Sequence, residues 1–159
     1  MEPVVVQPVT RRTLLGLIGA GALAPLLPYG RVLAAPSRAI KIYKSPYCGC
    51  CGSWTKILSK AGYAPEVIKM NDLAPVKRRA GVPANLETCH TAFVDGYVVE
   101  GHVPVEAIEK MLAERPEIVG IGVPGMPTGS PGMPGPDPEP FSVIAFAADG
   151  RQSVYMSFR

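Results

Sequence analysis

Ile40-Lys41-Ile42-Tyr43-Lys44-Ser45-Pro46-Tyr47-Cys48-Gly49-Cys50-Cys51-Gly52-Ser53-Trp54 is the stretch that decides the fold. Ala39 to Tyr43 alternates apolar and polar residues and is rich in β-branched and aromatic types, which predicts a strand. From Cys51 to Lys60, Trp54, Ile57 and Leu58, followed by Ala61, fall at helical spacing, and Gly62 stops the helix. The cysteines therefore sit between a first strand and a first helix. Cys48 and Cys51 are three residues apart, so at a helix start their Cβ atoms come within roughly 5–6 Å on one face. Unpaired N–H groups and the helix dipole favour thiolate there, the form needed for both nucleophilic exchange and metal ligation.

Outward from this segment, strand and helix signals continue to alternate. Glu66 to Met70 reads as a second strand. Asn71 or Asp72 can cap a short helix through Arg79, stopped by Gly81. Thr91–Val94 and Tyr97–Glu100 flank Asp95-Gly96, a hairpin turn signal. Pro104 then opens a helix with Val105, Ile108 and Leu112 on one face. The segment 122–140 is dense in Gly and Pro and predicts a loop. Phe141–Phe146 and Ser153–Phe158 flank Asp149-Gly150 as a second hairpin. The order βαβα-ββα with an added hairpin is that of an α/β, thioredoxin-like domain. Its mixed sheet is expected to hold four to five strands flanked by helices, with the hairpin at the C-terminus.

The N-terminal part is read as an address. Arg11-Arg12 precede an apolar run, Leu14 to Leu27, and small residues at Ala34 and Ala35 suit a signal peptidase. The paired arginines, with Arg31 near the cleavage point, predict a twin-arginine signal over residues 1–34. Pro25 and Pro28 and the short run argue against a membrane anchor. A mature domain over residues 35–159 is expected in the periplasm, with contact to the membrane only through the signal. The chain carries 16 Lys and Arg against 13 Asp and Glu; removing Arg11, Arg12, Arg31 and Glu2 leaves the mature part close to neutral. No basic stripe stands out, which argues against a nucleic-acid partner. Lys77-Arg78-Arg79 reads as a solvated helix end.

Cys89-His90 stands directly before the strand that starts at Thr91. In a thioredoxin-like fold the loop there approaches the C-x-x-C pair and usually carries a cis-proline, so Cys89 and His90 are expected beside Cys48 and Cys51. Thiolates with an imidazole select soft ions, copper(I) first and zinc second. Alternatives for Cys89 are a buried free thiol and a structural disulfide to one of the first three cysteines. Cys50, His102, Met126 and Met133 extend the candidate ligand set. Cys50 is expected to point away from the face shared by Cys48 and Cys51. His102 reads either as a ligand or as a histidine packed against the next helix. Met126 and Met133 read either as thioether ligands or as apolar pins for the Gly/Pro loop. Trp54 is expected in the core.

Several of these segments resemble one family. Tyr43 to Gly52, Asp72 to Lys77, Gly81-Val82-Pro83, Cys89 to Ala92, Gly96 to Pro104 and Val123 to Met133 are similar to the DUF411 proteins. The resemblance spans essentially the whole mature chain. It implies a small periplasmic metal-binding protein of thioredoxin-like fold in a copper-resistance setting, with another periplasmic copper protein as a possible partner. Two function classes follow. The first is a copper(I)-binding protein using Cys48, Cys51, Cys89 and His90. The second is a thiol–disulfide oxidoreductase with Cys48 as nucleophile and Cys51 as resolving thiol. The middle residues Gly-Cys, the lack of a proline beside His90 and the extra thiols favour binding.

Overall fold

The computed structural model describes residues 39–159; the expected signal, residues 1–34, lies outside them. Strand β1 (Ala39–Lys44) pairs in parallel with β2 (Ala64–Lys69) on one side and antiparallel with β3 (His90–Val94) on the other. β3 turns through Asp95-Gly96 into β4 (Tyr97–Glu100), as the turn signal requires. A three-residue strand, β5 (Gly120–Gly122), runs parallel to β4 and carries the C-terminal hairpin of β6 (Phe141–Phe146) and β7 (Gln152–Phe158). The result is one seven-stranded mixed sheet in the order β2-β1-β3-β4-β5-β6-β7. The four strands of the thioredoxin-like part and the hairpin were expected. Joining them through β5 was not, because Gly-Ile-Gly is too short and too plain to show a strand period.

Sequence enforces that join. A Cβ on Gly120 would lie 2.1 Å from the Val98 carbonyl oxygen, so the β4–β5 approach admits no side chain at this position. Val98 also receives its ladder partner there, its N–H donating to Val119 O at 3.0 Å.

Helices cover both faces. Strand residues alternate between them, which is the two-residue period of a pleated sheet. On one face Ile40, Ile42, Ala92, Val99, Ile121 and Val143 meet Trp54 and Leu58 of α1 (Gly49–Lys60) and Ile108, Met111 and Leu112 of α3 (Val105–Glu114). On the other face Val98 and Phe146 meet Ala80 of α2 (Ala74–Ala80), Val82 and Leu86, the last in a 3-10 turn over Ala84–Leu86. Trp54 is fully buried, as expected, and its indole N–H donates to Val103 O at 2.9 Å. That bond meets the one polar atom of a side chain whose removal from a core costs about 3–5 kcal/mol.

The helix limits match the sequence signals with three informative differences. Gly81 closes α2 as expected, but the N-cap of α2 is Leu73, not Asn71 or Asp72; Asp72 stands one residue earlier and accepts from the Ala74 N–H at 2.9 Å. However, α1 begins at Gly49, two residues ahead of the expected start, with Cys48 as its N-cap. And Lys77 is not solvated: it lies buried beneath α2, 4 % exposed. Among the described residues no helix is long and apolar enough to cross a membrane.

Candidate metal centre

The early start of α1 shapes the cysteine loop. Cys48 is extended (φ −80°, ψ 100°), and its sulfur turns back over the first turn to accept from the Cys51 N–H at 3.4 Å. Cys48 and Cys51 are joined by a disulfide, and Cys50 and Cys89 carry free thiols. The alternative of a structural bridge from Cys89 is thereby corrected: the bond closes within the C-x-x-C pair. The expected orientation of Cys50 is corrected too. Its Sγ lies 3.3 Å from Cys48 Sγ, because Cys48 as a cap leans across the turn on which Cys50 stands.

Cys89 arrives from the other side. The register places His90 opposite Lys44, the last residue of β1, so the residue before β3 falls at the mouth of the cysteine loop. Ser45 N–H donates to Cys89 O at 3.3 Å and ties the two loops together. Cys89 Sγ is 3.0 Å from Cys48 Sγ and 3.2 Å from Cys51 Sγ. The described residues contain no cis peptide bond, so Cys89-His90 occupies the usual proline position in trans.

A fifth sulfur comes from the Gly/Pro loop. Met126 Sδ lies 3.4 Å from Cys89 Sγ and 4.0 Å from Cys50 Sγ. The loop is held down by its own turns, including Ser130 N–H to Pro127 O at 3.0 Å and Gly129 N–H to Met133 O at 2.8 Å. Gly132 seats it against α1: a Cβ there would stand 2.8 Å from Trp54 N and 3.1 Å from Cys50 O. Met133 does something else. It lines a groove between the loop and α1 with Lys56, Ile57 and Pro131.

Two overlapping groups of donor atoms result. Cys48, Cys50, Cys51 and Cys89 form one, and Cys51, Cys89, His90 and His102 form the other, with all donor atoms of a group within 4.8 Å of one another. His90 and His102 are wholly buried and stacked, ring centroids 5.4 Å apart, with Trp54 closing the stack at 4.5 Å from His90. None of their four ring nitrogens makes a hydrogen bond of good geometry, the Gly101 backbone acting on His90 only weakly against the effect of burial. A buried polar atom left unpaired costs about 1–3 kcal/mol, and a soft ion would engage the acceptor nitrogen of each ring. The residues therefore fit a thiolate- and imidazole-loving ion in both donor type and unmet demand.

Burial governs the charge of Cys89 and of the two histidines. Burial, and the neighbouring Cys50 after it, push the Cys89 thiol up to about 11, against a weaker downward pull from Lys77. Burial, then His102, pushes His90 down to about 3, and burial lowers His102 as well. Cys89 is thus a protonated thiol and both histidines are neutral near pH 7, the latter being the form in which imidazole ligates.

A thioredoxin-like α/β domain that gathers cysteine, histidine and methionine donors at one end of its sheet defines a metal-site protein. The sequence pattern of the family described as "Protein of unknown function, DUF411" matches residues 86–133. Two solved structures, titled "Copper resistance protein copG- Form 2" and "Copper resistance protein copG- Form 1", are each 40% identical. The alignment covers 76% of this chain and 98% of the first, with a TM-score of 0.72, and 78% and 98% for the second, with a TM-score of 0.73. No curated protein sequence matches the chain. The chain belongs to the DUF411 family and is similar over its whole described domain to these copper resistance proteins.

Proposed function

We propose that this protein handles copper, binding copper(I) through Cys48, Cys50, Cys51 and Cys89 with Met126 as a thioether partner and His90 and His102 behind them. The carrying observation is that five sulfurs from three separate segments converge, with successive contacts of 3.0 to 3.4 Å between Cys50, Cys48, Cys89 and Met126. Soft sulfur donors in that number favour copper(I), and zinc is the second candidate. The 40% identity to copper resistance proteins supports the same ion. Bound copper(I) would draw its stabilisation from thiolate sulfur, and the Cys48–Cys51 disulfide must first be reduced to give it.

The place of action follows from the signal. Residues 1–34 direct export by the twin-arginine route, and the mature domain, residues 35–159, works in the periplasm alongside another copper protein of that compartment. Export of a folded domain allows the thiols to be loaded before they meet an oxidising medium.

The test is a titration of the reduced mature domain with copper(I) against a competing chelator, repeated with Cys48→Ser and Cys89→Ser. Loss of affinity in both variants is expected, and affinity indifferent to both overturns the proposal. The Cys48–Cys51 disulfide favours a second reading, dithiol–disulfide exchange with an outside substrate. Catalysed reduction of insulin by the wild type at rates abolished by Cys48→Ser establishes that reading in its place.

A further inference from the structure

Lys77 and Glu100 form the one ion pair among the described residues whose two side chains are both buried. Such a pair contributes little to stability, since removing two charges from water offsets most of their attraction. Its bonds show a different use. Glu100 Oε1 accepts from Lys77 Nζ, from the Thr88 N–H at 2.6 Å and from the Thr88 hydroxyl at 2.8 Å. Glu100 Oε2 accepts from the Thr91 hydroxyl at 2.7 Å, and Lys77 Nζ donates to that same Thr91 oxygen at 3.0 Å. One carboxylate therefore grips the residue before Cys89 and the residue after His90.

From this geometry we infer that Glu100 is a positioning residue for Cys89, its side chain clamping Thr88 and Thr91, with Lys77 from α2 offsetting the charge of the buried carboxylate. The inference rests on the metal-binding reading above. Cys89 is the natural object of the clamp. It belongs to no helix or strand, yet it must stand within sulfur contact of Cys48, Cys51 and Met126 at once. Glu100 can reach both flanks because β4 pairs with β3 so that Glu100 faces Thr91. Gly101, which follows, packs so closely on Thr88 that a Cβ there would meet Thr88 Cγ2 at 2.9 Å, which keeps Thr88 against the carboxylate.

The experiment compares two neutral replacements of the pair in the mature domain. Lys77→Met with Glu100→Leu removes charge and acceptor together. Lys77→Met with Glu100→Gln removes the charge but keeps an acceptor for Thr88. Copper(I) affinity by chelator competition and the rate of Cys89 alkylation by iodoacetamide, resolved by peptide mass spectrometry, are measured on folded protein. In the Leu variant, affinity is expected to fall and alkylation to rise, each about ten-fold, the low end of what loss of a ligand's outer partner costs. In the Gln variant both return close to wild type. Wild-type behaviour of the Leu variant overturns the inference, and so does a Gln variant as impaired as the Leu variant. Should the Leu variant not fold, Thr88→Ala takes its place, and unchanged alkylation in it is the overturning result. If the wild type binds no copper(I), the metal reading falls while the alkylation rates still decide the clamp.

Discussion

Gly132→Ala isolates the contribution of the Gly/Pro loop. Gly132 has φ +89°, where an L side chain costs about 1–2 kcal/mol. Its Cβ would also stand 2.8 Å from Trp54 N and 3.1 Å from Cys50 O. Both neighbours are backbone atoms in the first turns of a helix anchored by a fully buried Trp54, so neither can give way. Forced contacts of this kind cost about 1–3 kcal/mol. Together the strain is about 2–5 kcal/mol, and the loop yields before the core does, since its inner bonds are short-range turns. Met126 then leaves Cys89 and Cys50. Copper(I) affinity is expected to fall by at least about ten-fold, equivalent to about 1.4 kcal/mol. The melting temperature of the metal-free protein stays near that of wild type. Met126→Ala should give the same loss, and the double variant no more than either, because both act through one contact. Wild-type affinity in Gly132→Ala, with unaltered proteolysis of residues 123–140, refutes the reasoning.

Stability of the metal-free protein should depend on acid through His90. Its folded value, about 3, lies below the ordinary 6.5, so the unfolded chain binds more protons between those values. Stability is therefore held above pH 6.5 and lost as pH falls toward 3, with a slope approaching about 1.4 kcal/mol per pH unit; a flat urea-denaturation midpoint across that window contradicts a buried neutral His90. Gly120→Ala is expected to break the β4–β5 pairing, since its Cβ meets Val98 O at 2.1 Å, and hydrogen exchange should then rise in β6 and β7 before it rises in β1. Cys50→Ser removes a sulfur 3.3 Å from Cys48 without touching the disulfide pair. It should lower copper(I) affinity while leaving the Cys48–Cys51 bond in the air-oxidised protein, which thiol counting checks.

Much of the centre is legible in the chain because it depends on local rules. A strand, a C-x-x-C at a helix start and a Cys-His pair before a second strand place Cys48, Cys51 and Cys89 together once the strand order is granted. Cys50 is not legible in this way: its direction turns on whether Cys48 is the cap or part of the helix, a shift of one or two residues that no apolar period resolves. Lys77 is hidden for another reason. In Lys77-Arg78-Arg79 nothing marks one cation as different, and the cue lies 23 residues away, where Glu100 ends an otherwise apolar strand and needs a partner. Met126 and Met133 look alike in their Gly/Pro settings, and only the seat of Gly132 on α1 tells them apart.

The centre is assembled from positions 48–51, 89–90 and 126, and that spacing has a mechanical meaning. An occupant bound to Cys48, Cys89 and Met126 is a suture across sequence separations of 41 and 37 residues. It would fasten the first helix, the central hairpin and the long loop to one another at the end of the sheet. A ligand that engages only the folded form adds its binding free energy to the cost of opening. Cargo and scaffold would thus report on each other: a loaded protein is expected to resist proteolysis and heat, and surrender of the ion to loosen first the loop that covers it.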